Sequence, residues 1–193
     1  MNKPATTSSA NANSGEGLRN IILIGPMGSG KTTLGRRLAP LLGRKFIDLD
    51  DELERRCGVE VAVVFDIEGE EGFRKRESAL LAELVQRRGL VLATGGGSVL
   101  EVNNRELMQD NGLVVWLNTS VNQQVQRLRR DRRRPLLAAP DREQRLTEMA
   151  ELRNPIYQSM ADVEFVSRNL PLPRMANALH QSILPHLQPD QVD

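Results

Sequence analysis

The strongest structural signal in the chain is an eight-residue segment, Gly25-Pro26-Met27-Gly28-Ser29-Gly30-Lys31-Thr32, followed by Thr33. It fits the pattern G-x-x-x-x-G-K-S/T. A wholly apolar run, residues 21–24, precedes it, and a segment with helical apolar spacing follows it. Glycines in this setting turn successive N–H groups inward, and the following helix adds its positive end. The segment therefore predicts a binding loop for nucleotide phosphates.

Within this loop, Lys31 is predicted to reach the β- and γ-phosphates and Thr32 to ligate Mg²⁺ through its hydroxyl. Gly28, Ser29, Gly30 and Thr33 are the other predicted nucleotide-binding residues of this loop. An ordinary glycine-rich turn is the alternative, and the flanking strand and helix argue against it. The chain has no Asn-Lys-x-Asp segment of the guanine-specific kind, which favours ATP.

Apolar runs recur along the chain at residues 45–47, 90–93, 113–117 and, more weakly, 163–166, with helical segments between them. Alternation of this kind predicts an α/β fold, with a five-stranded, mostly parallel sheet flanked by helices. Ligands of such sheets bind beyond the carboxyl ends of the strands. We expect one domain over residues 19–186, a disordered tail over 1–18 and a frayed end over 187–193.

Composition narrows the class of protein further. Lys+Arg total 26 against 25 Asp+Glu, and the net charge of +1 argues against a generally basic, polyanion-binding surface. One cysteine cannot form an internal disulfide, and no apolar run approaches the length of a membrane span. We expect a cytoplasmic protein with no membrane partner.

Acidic residues follow the second predicted strand. In an extended segment, Asp48 and Asp50 point to the same side. One can then bind the water shell of the metal, and the other can bind the hydroxyl of an acceptor. Asp51 and Glu52 are interpreted as capping the next helix.

Two further segments contain candidate residues for binding a ligand. Three glycines, Gly95, Gly96 and Gly97, follow the third strand and would let a small ligand approach the backbone, unless they form a plain flexible loop. Arg74 lies near the start of a long helix; it could bind a ligand, or it could pair with Glu77 on a solvated face.

The densest charge lies at residues 127–134, where six of eight residues are arginines. Mutual repulsion predicts a mobile lid, about residues 127–140, that closes over anions and brings an arginine to the transferring phosphoryl group. A nucleic-acid patch is the rival interpretation, weakened by the lack of interleaved aromatic residues.

With these residues in place, the chain resembles the shikimate kinases, a nucleoside-monophosphate-kinase-like branch of the P-loop NTPases. The resemblance covers about residues 20–166 and rests on six motifs in order: GPMGSGKTT from Gly25, F-x-D-x-D from Phe46, G-E-x-x-F-R-x-x-E from Gly69, A-T-G-G-G-x-V from Ala93, R-P-L-L from Arg134, and R-x-P-x-Y from Arg153. It implies ATP-dependent phosphorylation of the 3-hydroxyl of shikimate, on the route to chorismate and the aromatic amino acids.

The resemblance also implies a role for each matching residue. Lys31, Asp50 and Arg134 would be catalytic, Asp50 as the candidate base and Arg134 as the lid arginine at the phosphates. Arg127 would stack on adenine, and Thr32 would hold Mg²⁺ with Asp48 acting through water. The acceptor would be bound by Asp50, by Arg74 and Arg153 at its carboxylate, by Gly95, Gly96 and Gly97, and by an apolar wall of Phe65 and Phe73. A second adenine contact is expected near residues 168–171.

The implied partners are therefore ATP and shikimate, and the implied cofactor is Mg²⁺. We expect no nucleic-acid partner and a monomeric protein. Two alternatives stay open at this point. One is a similar kinase acting on another small hydroxy acid, such as gluconate. The other is a nucleic-acid-binding ATPase that uses the arginine segment as its patch.

Overall fold

The computed structural model describes residues 19–129, 141–166 and 170–187. Within them, one sheet is built from β1 (Asn20–Ile24), β2 (Lys45–Asp48), β3 (Leu90–Ala93), β4 (Gly112–Asn118) and β5 (Val163–Val166). The strands pair in parallel in the order β2-β3-β1-β4-β5. The predicted five-stranded parallel sheet is therefore confirmed.

Seven helices connect and cover the strands of this described part. They are α1 (Lys31–Leu41), α2 (Leu49–Cys57), α3 (Val61–Val85), α4 (Val102–Asn111), α5 (Val121–Leu128), α6 (Arg142–Met160) and α7 (Leu172–Ile183). Short 3-10 segments span Ser98–Leu100 and Leu184–His186. Helix α3 changes direction at Gly69, whose φ of 69° is left-handed and favours glycine.

The central strand β1 explains why helices cover both faces. Its alternate side chains point to opposite sides: Ile22 and Ile24 enter one core with residues of α2, α3, α4 and α6, and Ile21 and Leu23 enter another with α1 and α7. All four are fully buried, as expected for a strand in the middle of a parallel sheet.

Most strand boundaries lie within one residue of the prediction. Strand β1 begins one residue early, at Asn20, because every polar group of that side chain is paired: Nδ2 donates to the carbonyls of Val85 and Arg87, and Oδ1 accepts from the N–H of Leu90. A polar residue can thus join a buried strand without an unsatisfied group.

The predicted tail, most of the predicted lid and residues 188–193 lie outside the described residues. None of the helices described is both long and apolar enough to span a bilayer.

Candidate active site

The phosphate loop joins β1 to α1. Gly30 precedes α1 with a left-handed φ of 95°, no side chain caps the helix, and its first turn contains no acidic residue. The N–H groups of that turn therefore present positive charge to the loop. The Lys31 Nζ lies over the loop and donates to the carbonyls of Gly25 at 2.7 Å and Pro26 at 3.0 Å.

A cavity of about 530 Å³ opens at this edge of the sheet, a size typical of small-molecule sites. Among the predicted site residues, those lining it are Gly28, Gly30, Lys31, Thr32, Thr33, Asp48, Asp50, Gly96 and Arg127. Ser29, within the loop, is fully buried. Residues from four separate segments of sequence thus share one cavity.

Asp48 links the loop to the second strand. Its Oδ2 accepts a hydrogen bond of 2.6 Å from the Thr32 hydroxyl, and its Oδ1 accepts from the N–H groups of Asp50 and Asp51. Asp48 therefore caps α2 while its other oxygen faces the phosphate loop.

The expectation that Asp48 and Asp50 share an extended segment is wrong. Strand β2 ends at Asp48, and α2 begins at Leu49, because the Asp48 carboxylate satisfies the first free N–H groups of that helix. Asp50 lies in the first helical turn and still lines the cavity. Asp51 points elsewhere and forms an exposed ion pair with Arg36.

The glycine loop, residues 95–97, lies against three other parts of the site. A Cβ at Gly95 would overlap the Glu77 carboxylate and lie 3.4 Å from Asp50 Oδ1. A Cβ at Gly97 would overlap the Arg74 guanidinium. A side chain at Gly97 would therefore displace Arg74, which is predicted to hold the acceptor, and a side chain at Gly95 would displace Glu77.

Arg74 is held by carboxylates on its own helix. Its guanidinium donates to Glu77 Oε2 at 2.7 Å and, more weakly, to Glu70 at 3.4 Å. Glu77 is fully buried, and its other oxygen accepts a 2.6 Å bond from the Ser98 hydroxyl. Burial alone would lower the pKa of Arg74, but the charges of Glu77 and Glu70 outweigh it and raise the pKa.

Arg153 and Tyr157 lie one turn apart on α6. The Arg153 Nε is buried and has no hydrogen-bond partner among the residues that the structure describes. The Tyr157 hydroxyl donates to the Gly96 carbonyl at 2.6 Å. Burial raises the pKa of Tyr157 to about 12, against the opposing effects of Arg153 and Arg74. Both guanidinium charges therefore act on this hydroxyl.

The two predicted wall residues pack together beside Arg74. The rings of Phe65 and Phe73 stack with centroids 4.3 Å apart, and the Arg74 guanidinium lies 5.2 Å from the Phe73 centroid. Phe73 is buried and Phe65 is partly buried against the same core. The structure thus groups Phe65, Phe73, Arg74 and the glycine loop.

Arg127 lies in the last turn of α5, above the phosphate loop. Its guanidinium donates to the carbonyls of Gly28 and Ser29, and burial lowers its pKa. Arg134, the predicted lid arginine, lies outside the described residues. So do residues 167–169, although Leu170, Leu172 and Met175 line the cavity near the predicted second adenine contact.

Sequence reasoning missed three contributors to the site. Glu77 was considered only as a surface partner of Arg74, Ser98 was the variable position of a motif, and Tyr157 was given no role. Only Glu77 carried a usable signal, because it lies three residues after Arg74 on one helical face. Ser98 and Tyr157 contact residues that are separated from them by 21 and 61 positions in the sequence, respectively. Such contacts leave no local pattern.

A parallel sheet in this order, with a phosphate loop after its central strand, defines a P-loop kinase of the nucleoside-monophosphate-kinase-like type. The family model described as shikimate kinase matches residues 27–184. The chain belongs to the shikimate kinase family.

Individual relatives of the chain are also shikimate kinases. The chain is 52% identical over 168 residues to a shikimate kinase of Bordetella avium, covering 87% of this chain and 78% of the relative. It is 51% identical over 146 residues to one of Pasteurella multocida, covering 75% and 83% of the two chains. The resemblance stated from the motifs is therefore confirmed.

Solved structures match over most of the chain. A shikimate kinase from Acinetobacter baumannii in complex with shikimate superposes with a TM-score of 0.85 at 44% identity, covering 92% of this chain and 97% of that one. A shikimate kinase from Aquifex aeolicus superposes with a TM-score of 0.74 at 30% identity, covering 86% of this chain and 97% of that one. The predicted P-loop fold and kinase class are confirmed, and neither a gluconate kinase nor a nucleic-acid-binding ATPase is favoured.

Proposed function

We propose that this protein transfers the γ-phosphoryl group of ATP to the 3-hydroxyl of shikimate, giving shikimate 3-phosphate and ADP. Family membership supports the reaction class. The observation that carries the assignment to this chain's residues is the position of Asp50: it lines the cavity of the phosphate loop and also approaches Gly95 of the glycine loop.

The phosphate loop forms the nucleotide end of the site. The N–H groups at the start of α1 and the Lys31 ammonium place positive charge where the β- and γ-phosphates would bind. Arg127 lines the same cavity, which suits the proposed contact with adenine. Arg134 is proposed to reach the phosphates from the lid.

Thr32 and Asp48 fit the proposed magnesium site. Their side-chain oxygens lie 2.6 Å apart beside the loop, and Mg²⁺ prefers such hard oxygen donors, directly or through water. Thr32 would bind the ion directly, and Asp48 would bind its waters. When bound, the ion neutralises charge on the phosphates.

The glycine loop and two arginines form the acceptor end. Shikimate is a small monoanion rich in hydroxyls, so a cationic clamp with backbone donors is its complement. The charge of Arg74 is balanced by Glu77, whereas the buried Nε of Arg153 has no partner in the described part of the chain. A carboxylate at Arg153 would satisfy that group, with Phe65 and Phe73 as the apolar side of the pocket.

Asp50 lies between the two ends and is the proposed base. In this position it can hold the acceptor hydroxyl and take its proton as phosphoryl transfer proceeds. Such a reaction needs mainly in-line placement and charge neutralisation, both of which the surrounding residues supply.

A coupled assay with ATP and a panel of hydroxy acids tests the proposal. Shikimate should be turned over, with quinate and gluconate far slower. Turnover of quinate or gluconate without shikimate would refute it, and location of the new phosphate by phosphorus NMR tests the 3-hydroxyl.

We further propose that the protein is a cytoplasmic monomer, with residues 19–186 as one kinase domain and about 127–140 as its lid. The single cysteine supports the cytoplasmic location, because it cannot form an internal disulfide. Size-exclusion chromatography with light scattering should give a mass near 21.5 kDa; a dimer mass would contradict it.

A further inference from the structure

The only tyrosine of the chain, Tyr157, has a fully buried side chain next to the proposed acceptor pocket. Its ring stacks on the only tryptophan, Trp116, at a centroid distance of 6.0 Å. Its hydroxyl donates to the Gly96 carbonyl at 2.6 Å, across 61 residues of sequence. Packing fixes the ring, so the direction of the hydroxyl is set by the core.

Gly96 lies between this hydroxyl and the phosphate loop. A Cβ there would lie 3.5 Å from the Gly25 carbonyl and the Met27 nitrogen, and 3.7 Å from the Tyr157 oxygen. The neighbours Gly95 and Gly97 contact the groups proposed to bind the acceptor. The Tyr157 bond thus reaches the middle residue of the glycine loop.

Tyr157 also lies beside an arginine that is proposed to bind the carboxylate of the acceptor. Arg153 is one turn earlier on the same helix, and both Arg153 and Arg74 act electrostatically on the hydroxyl. One side chain therefore connects α6, which carries Arg153, to the loop that faces Arg74.

We propose that the Tyr157 hydroxyl is a positioning group for the acceptor pocket, holding the glycine loop at a fixed place relative to Arg153. The inference rests on the proposed function, because the pocket is assigned to shikimate there. Without the bond, the loop has to be ordered when the acceptor binds, and that ordering weakens acceptor binding without touching the nucleotide.

The test is Tyr157→Phe, which keeps the ring and removes the hydroxyl. We expect the shikimate KM to rise about tenfold, the equivalent of one hydrogen bond, while kcat and the ATP KM change by less than about twofold. Trp116 fluorescence gives the shikimate Kd directly, without nucleotide, and should shift with the KM.

Trp116→Phe is the matched control, because it disturbs packing on the same ring and leaves the hydroxyl in place. If it raises the shikimate KM as much as Tyr157→Phe does, packing is the cause and the inference is wrong. Equal rises in both KM values for Tyr157→Phe, or no rise, also overturn it. If the wild-type protein itself fails to turn over shikimate, the proposed function has failed first.

Should Tyr157→Phe not fold, replacement of the one tyrosine by 3-fluorotyrosine during expression gives a second test. This phenol is a stronger donor, so the shikimate KM should fall by about twofold with the ATP KM unchanged. An unchanged shikimate KM would overturn the inference.

Discussion

Arg74 and Arg153 are proposed to bind the same carboxylate, yet their removal should have different consequences for stability. Arg74 is paired with Glu77, whose side chain is 1% exposed. In the described part of the chain, no carboxylate lies within ion-pair distance of Arg153, and its Nε is buried without a partner. One arginine therefore compensates a buried charge, and the other does not.

Arg153→Ala should affect the use of the acceptor and have almost no effect on the use of ATP or on stability. Truncating one partner of a charged, hydrogen-bonded pair at a binding site costs about 2–5 kcal/mol, and 3 kcal/mol corresponds to about 150-fold in kcat/KM for shikimate. Stability should change by less than about 1 kcal/mol, because the substitution also removes an unsatisfied buried group.

Arg74→Ala should lower kcat/KM for shikimate by a similar factor and also destabilise the fold. Among the described residues it leaves the buried Glu77 with only the Ser98 hydroxyl as partner, and breaking a buried pair from one side costs about 3–5 kcal/mol. In a protein of this size, 3 kcal/mol corresponds to a Tm lower by about 6–12 °C.

The measurements are a coupled assay in which each substrate is varied separately, and thermal unfolding of both variants by circular dichroism. Adding Glu77→Gln to Arg74→Ala should recover part of the lost Tm, because a neutral amide needs no counter-charge. Equal Tm losses for the two arginine variants, or a rise in the ATP KM as large as that for shikimate after Arg153→Ala, would refute the reasoning.

Three further changes test other parts of the site. Lys31→Met should lower kcat by about a thousandfold while the circular dichroism spectrum is kept, and retained turnover would count against the phosphate-loop mechanism. Gly97→Ala places a Cβ on the Arg74 guanidinium and should lower kcat/KM for shikimate about tenfold; an equal effect on ATP would contradict that contact. Because burial raises the pKa of Tyr157 to about 12, the neutral phenol stabilises the fold below pH 10, and that contribution is lost between pH 10 and 12. Phenolate absorbance of the folded protein should follow this shift, and a transition near pH 10 would contradict it.

The elements of the fold could be predicted because its signals are local. Strand β3 coincides with its apolar run, residues 90–93, and the phosphate loop with its glycine pattern. Strand β1 extends one residue beyond its run because Asn20 is satisfied by groups 65 to 70 residues away. No sequence window around Asn20 contains those partners.

The arrangement of the site was harder to predict, because its decisive contacts join distant segments. Ser98 meets Glu77, and Tyr157 meets Gly96, only after α3 and α6 pack against the sheet. The wrong expectation for Asp50 had a different cause. An Asp after an apolar run can continue a strand or cap a helix, and the choice depends on whether the following N–H groups donate to its carboxylate.

Ion pairing and helix capping accompany the proposed functional roles of two side chains in this site. Arg74 does pair with Glu77, and that pair holds its guanidinium against Gly97, where the acceptor pocket is proposed. Asp48 does cap α2, and the cap turns its second oxygen towards Thr32. A carboxylate with two oxygens can satisfy the backbone with one and serve a ligand with the other. At a ligand-binding edge, a local structural role is therefore a means of fixing a functional group, and evidence for the first does not count against the second.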